Sequence, residues 1–217
     1  MNCGAGLGAS VVTASSREGG RPAAIGCRAH TGWAALVVVA GGFAQPEVLL
    51  RGRAELDDPT GRVRKNVYQA SRALEPAEAA AQVEAAERIG VERAADALER
   101  TVRDAAHEGA VVRSCAVVVG AFSGARLESI LASHTLAHAA EGRLYQGALL
   151  QGAESCGLDT VAIPKQSISE QGASALGVAQ DELRQWIDEL RPEVGPPWAL
   201  DQKLAALAAW IALARPS

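Results

Sequence analysis

The sequence predicts an α/β domain with a mixed five-stranded sheet and helices on both faces. Three observations carry this. Residues 23–56 hold three apolar or alternating runs separated by short turns, which is a meander. Two further runs, at 111–119 and 159–163, alternate with long helical segments. The run 33–40, WAALVVVA, is almost wholly apolar, as a strand covered on both faces is.

At 217 residues and 48% hydrophobic, the chain is long enough to bury one sizeable core. Residues 23–217 are expected to form a single domain behind a flexible Gly- and Ser-rich extension over 1–22. That extension lacks the basic start and solid apolar centre of a signal peptide. No run approaches the ~18 apolar residues of a membrane span. The net charge of −4 leaves no electrostatic footprint for tight nucleic-acid binding. Cysteines stand at 3, 27, 115 and 156 without a CxxC pair. Cys27 and Cys115 fall in apolar runs, which predicts buried free thiols and a cytoplasmic location.

In order, 23–30 alternates Ile25, Cys27 and Ala29 on one face with Gly26, Arg28 and His30 on the other. Thr31-Gly32 turns the chain into strand 33–40, and 47–56 is the third strand. Residues 57–75 read as an irregular loop with Arg62, Arg64 and Lys65 on it. Pro76 opens a helix to about 108, with Gly90 a point of interruption. The fourth strand, 111–119, ends in a small-residue turn without the phosphate-binding GxxxxGK[ST] pattern. One long helix follows over 125–156, then strand 159–163, helices at 167–176 and 179–191, and an apolar last helix at 199–214. Trp33 and Trp210 read as core, and Trp198 packs ahead of the last helix.

This order resembles the ribonuclease H-like fold, and His30-Thr31-Gly32-Trp33-Ala34 resembles the hairpin of RuvC-type Holliday-junction resolvases. The resemblance implies a two-metal nuclease with acids on the first strand, at the end of the fourth and on the last helix. Here Ile25 or Arg28 falls where the first acid belongs, Val119-Gly120-Ala121-Phe122 carries none, and only Asp201 matches. Nucleic acid as a partner rests on fold analogy alone. The long helices and Ala-rich faces fit a homodimer.

The oddest stretch is the helix at 127–154. His134, His138 and Glu141 share one helical face, in a stripe of Leu127, Leu131, Tyr145 and Ala148 expected to face inward. Arg28, His30, Thr31, Asp201 and Lys203 are the expected partners. Three readings stay open. His134, His138 and Glu141, with Asp201, can hold one divalent metal such as zinc, manganese or iron, which activates water. A histidine, His30 included, can act as general base while Arg28 or Lys203 stabilises an anion. The same groups can also form a satisfied polar network. Ser123, Ser133 and Lys165 are weaker candidates, with GxSxG absent.

The chain is therefore expected to be an atypical protein of this fold that has lost the two-metal nuclease site. It would bind a ligand or partner there through Arg28, Thr31, Lys203 and the His/Glu/Asp cluster. The alternative is a divergent metal-dependent hydrolase or nuclease using His134, His138, Glu141 and Asp201.

Overall fold

The computed structural model describes residues 20–42, 45–121, 124–190 and 195–215. The expected strands are β1 (Arg21–His30), β2 (Trp33–Gly42), β3 (Gln45–Glu55), β4 (Ala110–Val119) and β5 (Asp159–Pro164). They form one sheet in the order β3-β2-β1-β4-β5. β2 runs antiparallel to β1 and β3, while β4 and β5 run parallel to β1. This is the mixed five-stranded arrangement the order of elements predicts. β1 starts inside the segment expected to be an extension; residues 1–19 lie outside those described.

The helices are α1 (Val67–Ala70), α2 (Pro76–His107), α3 (Leu127–Ala132), α4 (His134–Ser155), α5 (Ile168–Leu176), α6 (Gln180–Glu189) and α7 (Leu200–Leu213). Alternation along β1 splits the core in two. Ile25, Cys27 and Ala29 pack with Leu98, Leu144 and Leu149 from α2 and α4. Ala24 packs with Val37, Val118 and the α7 residues Ala205, Ala208 and Ala209 on the opposite face. Both strand cysteines are free and buried, with their sulfurs 3.6 Å apart.

Glycines let the helices seat closely. A Cβ on Gly26 would lie 1.8 Å from the Ala205 carbonyl oxygen, so α7 rests directly on β1. Gly90 does not interrupt α2; it lets Ala148 of α4 approach. Beneath the first turn of α7, the Arg51 guanidinium donates to the carbonyls of Gly195, Pro196 and Pro197 at 2.6–3.0 Å. Trp198 is buried and donates Nε1–H to Ile187 O at 2.8 Å.

Two expectations are corrected here. The helix at 125–156 is two helices, because Ser133 is extended (φ −120°, ψ 122°) and caps α4 with its hydroxyl. The irregular loop 57–75 contains α1, which packs against α3 and α4.

Candidate functional site

The predicted site residues fall into two groups on opposite faces of the sheet. The first gathers at the carboxyl end of β1, where α7 begins. His30 Nε2 lies 2.9 Å from Asp201 Oδ1, and Arg28 Nε lies 3.9 Å from the same oxygen. Both contacts are ion pairs only, and both nitrogens are buried without a hydrogen-bond partner. His30 stacks on Trp33 with ring centroids 4.4 Å apart, and the Arg53 guanidinium sits 3.9 Å from the Trp33 centroid. Trp33 is therefore an aromatic support at the site's margin and not a core residue.

Strand register shows why these side chains meet. His30 pairs with Trp33, Arg28 with Ala35, and Ala35 with Arg53; one step further in, Gly26 pairs with Val37 and Val37 with Arg51. Directly paired residues project to the same face. Arg28, Arg51 and Arg53 thus share the α7 face, with the small Ala35 between Arg28 and Arg53. An open groove of about 440 Å³ lies there, lined by Trp33, Ala35, Arg51, Gly52, Arg53, Pro197 and Gln202. Opposing acids are Asp201 and Glu55, the latter 2.5 Å from Arg53 Nε.

Thr31 occupies the hairpin turn beside this cluster. Lys203 does not join it. Its ammonium pairs with Asp188 of α6 at 2.7 Å, because its position on α7 faces α6.

The second group lies at the head of α4. Glu141 is only 1% exposed, while the His138 side chain is 59% exposed and His134 is exposed. The inward stripe is thus corrected: the histidines sit on its open side. The physical reason is position. Gln146 Oε1 accepts from Gly120 N at 3.2 Å at the end of β4, so the turns before it project past the sheet toward α1.

There Gln69 of α1 organises the group. Its backbone N–H donates to Glu141 Oε1 at 3.1 Å, and its side-chain amide donates to His134 O at 3.1 Å. His134 Nδ1 meets Gln69 Oε1 at 3.1 Å, and the two Nε2 atoms of His134 and His138 are 3.1 Å apart. His138 Nδ1 lies 3.5 Å from Glu141 Oε2. Burial outweighs these contacts and holds the Glu141 carboxyl above its ordinary range. Tyr145, one turn on, donates to Lys65 O at 2.8 Å.

The four-residue set of His134, His138, Glu141 and Asp201 is not brought together. Asp201 stands on α7 and the other three on α4, with the sheet between them. Nor do the donors at the β1 edge fit a two-ion centre. Among the described residues Asp201 is the carboxylate paired with Arg28 and His30, and the guanidinium beside it opposes a divalent cation by like charge. Among the described residues no group of three or more His, Cys, Asp or Glu side chains is placed to hold a metal ion. Ser123 lies outside the described residues; Ser133 is committed to capping, and Lys165 is exposed beyond β5.

Sequence reasoning missed Gln69, Arg51 and Arg53. The Arg-Gly-Arg alternation of 51–53 was a signal that both arginines share a face, but which face follows only from register. Gln69 gave no signal within a segment read as loop.

No protein-family model matches the sequence, and no curated protein matches it. Solved structures do, two of them RuvC chains. One is T. thermophilus RuvC in complex with a Holliday junction substrate, at 16% identity and a TM-score of 0.47, covering 88% of this chain and 92% of that one. Another is Thermus thermophilus RuvC, at 17% identity and a TM-score of 0.47, covering 88% and 93%. The resemblance is distant. Among the described residues no helix is long and apolar enough to cross a membrane.

Proposed function

We propose that this chain is a ligand-binding protein on a ribonuclease H-like scaffold, that it lacks the two-metal nuclease site, and that its ligand is anionic. The ligand, phosphate- or carboxylate-bearing, is taken up at the β1 edge by Arg28, His30 and Thr31 with Arg51 and Arg53 alongside. One observation carries the reading: Arg28 and His30 flank the Asp201 carboxylate, and each keeps a buried nitrogen without a hydrogen-bond partner. Unpaired buried donors cost roughly 1–3 kcal/mol each, which an acceptor ligand would recover. The groove floored by Ala35 supports access, and its arginines concentrate positive charge on a chain of net charge −4.

Pyrophosphate titrated into the magnesium-free protein tests this. Saturable one-to-one binding that Arg28→Ala and Arg53→Ala each weaken is the expected result. Absence of binding, paired with magnesium-dependent cleavage of branched DNA, would favour the divergent nuclease instead.

A further inference from the structure

Three contacts surround the imidazoles of His134 and His138. They are His134 Nδ1 to Gln69 Oε1 at 3.1 Å, Nε2 to Nε2 at 3.1 Å, and His138 Nδ1 to Glu141 Oε2 at 3.5 Å. The Gln69 amide is oriented by its own donation to His134 O, so its oxygen faces the ring as an acceptor. The first two are hydrogen bonds, each with one hydrogen between its atoms; the third is a looser ion-pair contact, and the buried Glu141 Oε2 keeps no hydrogen-bond partner. Two neutral imidazoles bring only two N–H groups. If His138 carries its hydrogen on Nε2, its bare Nδ1 faces the orphaned Glu141 oxygen; if it carries it on Nδ1, toward Glu141, the two Nε2 lone pairs face one another and are free for an ion.

That arrangement is the one metal-bound histidines adopt. Their outer nitrogens are tethered to an amide, carbonyl or carboxylate oxygen, which fixes the tautomer and aims the other nitrogen at the ion. Nitrogens about 2.0–2.1 Å from one tetrahedral zinc sit roughly 3.3 Å apart. The observed separation is 3.1 Å, with the rings at 83° to one another.

We infer that His134 and His138 form a two-imidazole site for a late divalent transition metal of the zinc, copper or nickel class, bound through both Nε2 atoms. Gln69 and Glu141 are positioning residues, not ligands, since Glu141 Oε2 faces the Nδ1 side of His138. Water or an external donor completes the coordination, which the 59% exposure of the His138 side chain permits. Paired imidazoles select these ions over magnesium or calcium. The site lies across the sheet from Arg28 and Asp201, so it stands or falls independently of the anion site.

The test is zinc titrated calorimetrically into tag-free full-length protein, with copper(II) electron paramagnetic resonance as a second readout. One zinc per chain is expected. His134→Ala and His138→Ala, both at exposed positions, each weaken it by about tenfold or more, with the melting profile retained. Gln69→Ala, which leaves both ligands in place, weakens it by about tenfold. Bound copper shows two coordinated nitrogens in the wild type and fewer in His134→Ala. The inference is overturned if the wild type binds no zinc, which leaves the pair joined by a shared proton only. It is equally overturned if the double variant His134→Ala/His138→Ala binds zinc as tightly as the wild type.

Discussion

His30 Nε2 stands 2.9 Å from Asp201 Oδ1, a contact between the first strand and the last helix. It ties the carboxyl edge of β1 to the first turn of α7, with the Arg28 guanidinium facing the same acid. At this edge one carboxylate faces both a guanidinium and an imidazole.

Arg28→Ala should therefore act on binding more than on folding. A charge-assisted hydrogen bond is worth about 1.5–3 kcal/mol, so pyrophosphate affinity should fall by roughly 10- to 100-fold. The Arg28 side chain is 15% exposed, and its pair with Asp201 at 3.9 Å is loose, so the unfolding midpoint should shift little. Titration and urea denaturation of the same variant check both halves.

Gly26→Ala should damage the fold directly. The new methyl would lie 1.8 Å from the Ala205 carbonyl oxygen and 2.7 Å from Ala209 N, both backbone atoms of α7. Neither can move without lifting the helix off β1. A loss of about 3 kcal/mol or more is expected in denaturant unfolding, with weakened pyrophosphate binding as Asp201 is displaced.

Glu141→Gln should change how stability depends on pH. Burial raises the carboxyl above its ordinary value of 4.5. The folded chain then holds this proton more tightly than the unfolded chain does. The contribution is fully present below pH 4.5 and is lost as pH rises through the folded-state value. Glutamine does not titrate and can still accept from Gln69 N–H. Wild-type stability should decline relative to the variant over that window, measured by denaturant unfolding across a pH series.

Ser133→Ala removes the hydroxyl that accepts from Leu136 N at 3.3 Å. A lost N-cap costs about 1 kcal/mol. Because His134 is the first residue of α4, fraying there should also weaken zinc binding.

What was legible in the sequence is what local pattern controls. The alternation of β1, the unbroken apolar run of β2 and Pro76 at the head of α2 each announced an element that the structure contains. The candidate site was legible only in part. Histidines four apart on a helix must be neighbours, and His134 and His138 are. Whether they face the core depends on where the sheet ends, which spacing along one helix does not encode. A single extended residue at Ser133 split a helix whose periodicity runs through it. Uniting Asp201 with Glu141 ignored the sheet between α7 and α4, a separation set by which face each helix covers. The grouping of Arg28 with Arg53 depends on pairing across three strands and is visible only once the register is known.

Asp201 is proposed to act as counter-charge to Arg28 and to hold no metal. Pyrophosphate affinity of Asp201→Asn against wild type, measured in magnesium, tests it through the sign of the change. Removing the acid beside Arg28 and His30 should tighten binding several-fold. If Asp201→Asn instead abolishes binding, and wild-type binding requires magnesium, the carboxylate is a metal ligand and the account is wrong.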